Sequence, residues 1–381
     1  MIIIIFLIFI YVLYLRVNIF NHEVAFLLPW LLIFIFNFIE ISSYHAPLNI
    51  TTINIICFYL LSYIIGSNLF LKNNVIEIKY FYKINKINFL ILIILFYIFS
   101  LFNIIYAGYL PIITGGSSHR SFGVSGFYGF YLAFSNVLAI ASFYIYLRQR
   151  NKFYLFIYLS ILFFFILFMT RLNVIIILIS SLLVFNFHVK TINFTKSLTY
   201  FLFLLILFSF LGNFRVSDID EYILTKQPYN ELQTSIKWLY AYSFMNVLNL
   251  DNLINNTSAP YYDFSFFKEL LPKLLKSENF HHEYYLIDPK FTVSTALSKI
   301  YIDLGIIGVV LSAIFFGYFT SKCYQKVITY HLNFFWIMVY ATMYFCATFS
   351  FFNNFWVFLP VIFQIPLAWL VSRIVFKKEF K

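Results

Sequence analysis

Long apolar stretches follow one another along most of this 381-residue chain. Hydrophobic residues make up 62% of the sequence and charged residues only 11%, a balance outside the range of water-soluble domains. A helix needs about 20 apolar residues to cross the hydrocarbon core of a bilayer. Because the runs are continuously apolar rather than alternating, they favour helices over a β-barrel. The sequence therefore predicts an all-α polytopic membrane protein.

Eleven membrane spans are predicted, within a range of ten to twelve. The first run lacks a basic segment before it and a small-residue cleavage site after it, so we expect a first membrane helix and not a cleaved signal peptide. Since no linker or internal repeat divides the sequence, residues 1–381 are expected to form one membrane domain. The predicted spans are 1–15, 24–41, 51–71, 88–107, 126–147, 153–169, 172–187, 197–213, 297–320, 331–350 and 355–372.

Short basic connectors set the expected orientation of these spans. Connectors rich in lysine and arginine stay in the cytoplasm, and the segment from Lys72 to Lys86 is the most basic one. Alternation then places the other basic connectors and the C-terminus on the same side. The formal net charge of +11 is spread over these connectors, so topology explains it better than nucleic-acid binding does. The other cytoplasmic basic residues are Arg16, Arg148, Arg150, Lys152, Lys190, Lys196, Lys322, Lys326, Arg373, Lys377, Lys378 and Lys381.

Three segments fall on the outer side in this topology. They are a glycine-rich connector at 108–125, a tight turn at Arg171, and a long loop at 214–296 that holds most of the acidic residues. Apolar residues at helical spacing from Phe267 to Leu275 predict a short helix that lies on the membrane or caps a cavity. Because loops of this length in compact proteins usually carry function, we expect the functional site here.

Three arginines lie at the outer ends of apolar segments, where arginine is least expected. Arg120 follows glycines and serines, Arg171 occupies the tight turn, and Arg215 opens the long loop. A guanidinium at a bilayer edge is costly, and its rigid donor fork suits phosphate oxygens. Each arginine alone is explained equally well by a side chain that extends to water or to lipid headgroups. Together on one face they predict a site for a lipid-linked diphosphate.

Further polar residues lie near the end of the long loop. His281, His282 and Glu283 offer a general base for a sugar hydroxyl, and Tyr284 offers a ring that stacks on a sugar. An ordinary solvated loop is the alternative for this cluster. Asp303 lies just inside the following span, where an acid is a functional candidate or a partner for one of the arginines.

The same span carries Gly305 and Gly308, which would allow a neighbouring helix to approach closely. No Cys or His pattern has the spacing of a metal site, and the glycine-rich segment around Arg120 lacks the lysine of a phosphate-binding P-loop. We therefore expect no metal and no cofactor.

The order of these motifs resembles the bacterial O-antigen polymerases, the Wzy-type oligosaccharide repeat-unit polymerases. Two positions depart from the family pattern, Met169-Thr170 where a small residue is common and Leu304 where an aromatic one is common. The motifs that carry the resemblance are Arg120 beside glycines, Met169-Thr170-Arg171, Gly212-Asn213-Phe214-Arg215, Thr292-Val293-Ser294-Thr295 and the run Tyr301 to Gly308.

This resemblance implies a metal-independent glycosyltransferase in the bacterial inner membrane, similar in fold to GT-C-like enzymes that use lipid-linked sugars. The growing glycan on undecaprenyl diphosphate would be transferred onto a new lipid-linked repeat unit at the periplasmic face, in lipopolysaccharide biosynthesis. Arg171 and Arg215 would then bind the donor diphosphate, and Arg120 the second lipid diphosphate or its nearest sugar. His282 or Glu283 would act as the base. A polysaccharide chain-length regulator is a further expected partner.

Three other functions are compatible with parts of this pattern. An O-antigen ligase shares the lipid donor and the large outer loop but transfers the glycan to lipid A-core. A lipid-linked oligosaccharide flippase would carry charges deep within its spans and short loops on both faces. A membrane scaffold would leave the outer arginines without a role. Because the charges lie at one edge beside one long loop, catalysis at that face is favoured.

Overall fold

The computed structural model describes residues 2–14, 20–69, 81–114, 121–188, 199, 218–257, 259–262, 270, 286–330 and 333–379. The helical class predicted from the sequence is confirmed, with one short strand pair in addition. In the first half the helices are α1 (Ile2–Tyr14), α2 (His22–Phe36), α3 (Ile50–Asn68), α4 (Lys86–Ala107), α5 (Pro111–Thr114), α6 (Phe127–Gln149), α7 (Lys152–Leu167) and α8 (Arg171–His188). In the second half they are α9 (Ile219–Ile223), α10 (Thr234–Asn256), α11 (Ala296–Thr329), α12 (Phe334–Thr348), α13 (Leu359–Ile362) and α14 (Gln364–Val375).

Asparagine side chains start many of these helices. Asn21, Asn49, Asn151 and Asn333 each accept a hydrogen bond from the backbone N–H two residues further on, at the starts of α2, α3, α7 and α12. The side chain of Asn85 accepts a hydrogen bond from the backbone N–H three residues further on, at the start of α4. Such caps satisfy donors that have no partner within the helix, and each is worth roughly 1 kcal/mol. Local sequence therefore fixes where these apolar segments begin.

Five helices are long and apolar enough to cross a membrane: α3, the α4–α5 segment, α6, α8 and α11. Shorter apolar helices of 10–17 residues are α2, α7, α12 and the segment formed by α13 and α14. The predicted span 197–213 lies outside the described residues, apart from Thr199. A helical membrane protein is the result, and the number of eleven spans stays a prediction.

The tightest helix contact joins α3 to α11 and depends on glycine. A Cβ atom at Gly66 would lie 2.1 Å from the carbonyl oxygen of Ile314, and one at Gly317 would lie 2.1 Å from the carbonyl oxygen of Tyr63. Both distances are far below van der Waals contact. Small residues allow this close approach of two backbones, as in other membrane helix pairs.

Gly305 has a different role from the one predicted. Its φ of 63° and ψ of −159° break the helical backbone inside α11, in a region of conformational space that is essentially restricted to glycine. A Cβ atom there would face Pro260 of the long loop at 3.3 Å, and one at Gly308 would meet Leu304 of the same helix. The expectation that both glycines face a neighbouring helix is therefore wrong. Gly305 instead marks the place where the loop meets α11.

One end of the bundle carries the strand pair, and we call it the ribbon end. Strand β1 (Phe81–Ile84) pairs antiparallel with β2 (Phe376–Glu379), so that the connector before α4 is joined to the segment after α14. The N–H of Asn85 also donates to the carbonyl of Val375 at 2.8 Å. The distribution of basic residues predicts that the connector before α4 and the segment after α14 lie on the same side of the membrane. In the structure these two segments are paired.

The opposite end carries α9 and α10, and we call it the cap end. The backbone N–H of Lys226 donates to the carbonyl of Ile41 at 2.8 Å, and the hydroxyl of Tyr44 donates to a carboxylate oxygen of Asp288 at 2.8 Å. The α2–α3 connector therefore lies against the 218–257 and 286–296 parts of the long loop. The helix ends separate into the two groups that the topology requires, whichever end faces the periplasm.

Candidate functional site

Helix α10 forms the roof of the cap end. It contacts α2, α3, α9 and α11, and its buried residues include Trp238, Phe244, Met245 and Leu248. The sequence pattern indicates this helix, because apolar residues recur every three or four positions between Trp238 and Leu248. We did not predict it, because asparagines interrupt the apolar stripe. The short helix predicted at 267–275 lies outside the described residues, apart from Leu270.

Two asparagines of α10 fasten the chain that leads into α11. The side-chain amide of Asn249 donates to the carbonyls of Phe291 at 2.7 Å and Val293 at 2.8 Å, while its oxygen accepts from the N–H of Ile287 at 2.9 Å. The hydroxyl of Ser294 donates to the carbonyl of Asn246 at 3.3 Å. These contacts satisfy buried backbone groups that otherwise lack partners. They place the motif Thr292–Thr295 against α10.

Arg171 is buried beneath α10, with 6% of its surface exposed. It is the first residue of α8. Its Nη2 donates to the hydroxyl of Tyr242 at 3.1 Å, and its guanidinium carbon lies 5.7 Å from the ring centre of Tyr242 and 5.9 Å from that of Trp238. The two rings stack at 5.3 Å. A cation is therefore held against two aromatic faces, an arrangement that gains strength when water is excluded.

The turn before Arg171 is tight because of the conformation of Met169. Its φ is 53°, in the left-handed region that non-glycine residues seldom adopt. The N–H of Thr170 donates to the carbonyl of Phe165 at 3.0 Å, and the Thr170 hydroxyl donates to the same oxygen at 3.1 Å. Glycine would adopt this conformation more readily than methionine. The predicted tight turn is confirmed.

An ion pair between a buried lysine and a partly exposed aspartate lies next to the aromatic pair. Lys237 Nζ lies 2.6 Å from a carboxylate oxygen of Asp220, with 3% of the Lys237 side chain and 40% of the Asp220 side chain exposed. Burial raises the pKa of the Asp220 carboxyl, but the Lys237 ammonium and the Thr225 hydroxyl lower it more, so that it lies below the ordinary 3.8. Asp220 stays ionised at neutral pH. The pair ties α9 to α10.

The ion pair also supports Arg171 indirectly. Tyr222, two residues after Asp220, packs against Trp238 with ring centres 6.0 Å apart, and its hydroxyl donates to the carbonyl of Lys290 at 3.2 Å. Trp238 in turn underlies the guanidinium of Arg171. Sequence reasoning missed Asp220, Lys237, Trp238 and Tyr242. The basic and aromatic run Lys237-Trp238-Leu239-Tyr240-Ala241-Tyr242 was the available signal.

Asp303 is fully buried, two residues before the break at Gly305. The break leaves backbone carbonyls of α11 open to partners from the long loop. The N–H groups of Tyr261 and Tyr262 donate to the carbonyls of Ile302 at 2.9 Å and Asp303 at 2.8 Å. The loop is thus bonded to the backbone on either side of the buried acid's Cα, which fixes the position of Asp303 at the cap end.

The structure locates two of the eight predicted site residues. Arg171 and Asp303 both lie buried at the cap end, on α8 and α11. The remaining six fall outside the described residues, namely Arg120, Arg215, His281, His282, Glu283 and Tyr284. Within the part of the chain that the structure describes, no group of three or more His, Cys, Asp or Glu side chains is placed to hold a metal ion.

What the described residues provide is a desolvated cation under an aromatic roof, with a buried acid on another helix of the same end. A guanidinium in such surroundings interacts strongly with a phosphate group. Comparisons of this chain with family models, with curated proteins and with solved structures found no match.

Proposed function

We propose that this protein is a lipid-linked oligosaccharide repeat-unit polymerase of the O-antigen type, working at the cap end. The observation that carries the proposal is Arg171, buried under Trp238 and Tyr242 at the end of a membrane helix. At the end of a membrane helix, this side chain would lie near the headgroup level, where the diphosphate of a lipid carrier would also lie. Undecaprenyl diphosphate supplies both the counter-charge and the lipid chain.

The reaction needs charge stabilisation more than covalent help from the protein. A hydroxyl of the acceptor sugar attacks the anomeric carbon of the donor glycan, and the bond from that carbon to the diphosphate oxygen breaks. The departing diphosphate gains negative charge, which a fixed guanidinium stabilises without reorganisation. We assign this role to Arg171 and Arg215, and we assign Arg120 to the acceptor diphosphate or its nearest sugar.

The hydroxyl proton must leave as the new glycosidic bond forms. A carboxylate or imidazole near neutral pH takes such a proton, and His282, Glu283 and Asp303 are the candidates. Asp303 has support from its burial and from the loop bonds at Ile302 and Asp303. His281 and Tyr284 are assigned to the sugars. The roof formed by α10 would keep water from hydrolysing the donor.

The test of this proposal is the glycan profile of a host in which the gene is deleted. If the protein is the polymerase, the lipid A-core carries one repeat unit and the ladder of longer chains is lost. Bare core with long polymer retained on the lipid carrier would instead identify a ligase. Bare core with unpolymerised units that face the cytoplasm would identify a flippase. An unchanged ladder would contradict the O-antigen assignment and point to capsule or exopolysaccharide as the product.

A further inference from the structure

The break in α11 separates two backbone carbonyls from their helical partners. Gly305, with a φ of 63° and a ψ of −159°, lies outside the helical region of conformational space. In a continuous α-helix each carbonyl accepts a hydrogen bond from the N–H four residues further on. The carbonyls of Ile302 and Asp303 would then accept from Ile306 and Ile307. Both of these donors lie beyond the break, so the two carbonyls are acceptors for which other groups can compete.

Residues of the long loop donate to these two carbonyls. The N–H of Tyr261 donates to the first at 2.9 Å, and the N–H of Tyr262 donates to the second at 2.8 Å. We call residues 260–262 the strap. Pro260 lies against the break itself, because a Cβ atom at Gly305 would be 3.3 Å from its ring. The strap therefore supplies the donors that a continuous helix would supply from within α11.

The strap is held in a strained conformation. Tyr262 has a φ of 57°, in the left-handed region where the Cβ atom of an L-residue is unfavourably placed. Because 65% of its surface is exposed, burial of the ring contributes little to offset this strain. The two backbone hydrogen bonds and the contact at Gly305 act against it. A short, exposed segment of this kind opens locally while the rest of a protein stays folded.

The two halves of α11 are fixed to different neighbours. After the break, Gly317 lies against the backbone of α3. At the start of the helix, the N–H of Ala296 donates to the carbonyl of Ser350 at 2.8 Å, in the connector after α12. Gly305 therefore lies between two anchored segments, and a residue that absorbs a change in φ and ψ between such segments is a hinge. Asp303 belongs to the first segment and would move with it.

The strap also follows the roof helix closely in the chain. Three residues separate Asn256, the last residue of α10, from Pro260. The same helix packs on Arg171 through its aromatic rings. A short connection therefore links the roof over Arg171 to the break beside Asp303.

We propose that the strap is a releasable latch that holds α11 in its broken form. When the strap dissociates, the N–H groups of Ile306 and Ile307 bond to the two freed carbonyls, Gly305 adopts helical torsion angles, and α11 becomes one continuous helix. The first segment of α11 then changes direction, and Asp303 moves relative to Arg171. The equilibrium between these two backbone forms does not depend on the proposed function. Its use to align Asp303 with a donor diphosphate does rest on that function.

Hydrogen–deuterium exchange of the full chain in detergent, resolved to single amides, tests the latch. Gly305→Ala favours the continuous helix, because alanine disfavours the torsion angles of the break and is the best helix former. The amides of Tyr261 and Tyr262 should then exchange at least about tenfold faster than in the wild type. Those of Ile306 and Ile307 should exchange more slowly, since they gain partners within the helix.

The matched control is Gly129→Ala, which adds the same methyl group inside α6, where the nearest atom lies at 3.5 Å. It should leave the four exchange rates within about twofold of the wild type, because distant substitutions act independently. Pro260→Gly is the second test variant. It loosens the strap and leaves the sequence of α11 unchanged, so it decides the matter if the Gly305→Ala chain does not fold. It too should speed exchange at Tyr261 and Tyr262.

Three results would overturn the proposal. The first is unchanged exchange at Tyr261 and Tyr262 in the folded variants. The second is exchange of these two wild-type amides at the rate of an unstructured peptide, since the strap would then not be formed. The third is a folded Gly305→Ala chain in which Ile306 and Ile307 exchange faster together with the strap, because that result means fraying and not a continuous helix.

Discussion

At the scale of single residues, the site depends on how Arg171 is kept charged and desolvated. The two aromatic rings and the Tyr242 hydroxyl replace part of the water that a guanidinium loses on burial. Lysine offers no planar group to pack against such rings and no donor fork for a diphosphate. The sequence was sufficient to predict Arg171 as a residue of the candidate site. Its aromatic partners were not predictable, because they lie about 70 residues further along the chain.

The hydroxyl and the ring of Tyr242 make separable contributions. Tyr242→Phe removes the hydrogen bond at 3.1 Å but keeps the stacked ring, so we expect a loss of about 1 kcal/mol or less in unfolding free energy and substantial polymer. Trp238→Ala removes a buried ring that supports both Arg171 and Tyr242 and should lower the unfolding free energy by about 3–5 kcal/mol. Thermal unfolding in detergent, read beside the glycan ladder of complemented cells, distinguishes the two. Equal effects of both variants would contradict this division.

The Asp220–Lys237 pair predicts a direction for the pH dependence of stability. Because the folded pKa of Asp220 lies below 3.8, its stabilising effect is present above the pKa of the unfolded chain and is lost as pH falls through the folded value. Asp220→Asn should reproduce this loss at neutral pH and cost about 1 kcal/mol, discounted because the Asp220 side chain is 40% exposed.

The control for that prediction is Glu40→Gln, which removes the more exposed Glu40–Lys226 pair. We expect no measurable change in unfolding free energy from this substitution, because exposed ion pairs are screened by solvent. Unfolding midpoints measured from pH 7 down to about pH 3 should converge for the wild type and Asp220→Asn as the carboxyl is protonated. Curves that remain parallel over this range would show that Asp220 does not carry the effect.

At the scale of secondary-structure elements, the lengths of the apolar runs were enough to predict most helices. They did not predict the break inside α11, the helix α10 or the β1–β2 pair. The apolar runs of α3, α6 and α8 and the asparagine cap of α3 are local properties, and the sequence shows them directly. The break at Gly305 depends on a loop residue, Pro260, that reaches α11 only in the folded chain. Helix α10 uses the Asn249 side chain to hold neighbouring backbone, so its hydrophobic stripe is discontinuous. The β1–β2 pair joins two segments almost 300 residues apart.

The α3–α11 crossing gives a sharp test at this scale. Gly317→Ala places a methyl group where 2.1 Å separates it from the Tyr63 carbonyl oxygen, so the two helices must move apart, and we expect a loss of about 1–3 kcal/mol or more. Gly129→Ala is the matched control inside helix α6, since its nearest neighbour, a side-chain atom of Pro360, lies at 3.5 Å. That substitution should be neutral or stabilising by up to about 1 kcal/mol. Unfolding midpoints of the two variants settle the comparison, and a well-tolerated Gly317→Ala would contradict the described packing.

At the scale of the whole molecule, charge separates the two ends of the bundle. Ion pairs and asparagine contacts fasten the cap end, whereas the described cations of the ribbon end form no ion pair with another described residue and are of the kind that the positive-inside rule predicts. The sequence predicted that the basic connectors lie at one end of the bundle, because successive spans cross the membrane in alternate directions. It could not predict the roof over Arg171, since that depends on contacts between remote segments. All five outer-loop site residues from Arg215 to Tyr284, and Arg120, lie outside the described residues and stay predictions.

The absolute orientation of the bundle is testable with single cysteines. Lys290→Cys lies at the cap end and Lys83→Cys at the ribbon end, and both positions are exposed. The three native cysteines are free, so they are first replaced by serine or alanine. A membrane-impermeant maleimide added to intact spheroplasts should label the Lys290→Cys variant and leave the Lys83→Cys variant unlabelled until the membrane is opened. The reverse pattern would place the candidate site in the cytoplasm and exclude a periplasmic polymerase.

The most direct test of the central claim is polymerisation by the purified chain. The protein is reconstituted with undecaprenyl-diphosphate-linked repeat units from the deletion host, and the glycans and released lipid diphosphate are measured together. The wild type should form chains of two or more repeat units and release one undecaprenyl diphosphate for each new linkage. Arg171→Lys should lose most of this activity, at least about tenfold, because loss of one oriented charge contact costs about 1.5–3 kcal/mol, whereas Lys290→Gln should retain it. Absence of polymer with the folded wild type, or full activity of Arg171→Lys, would contradict the account.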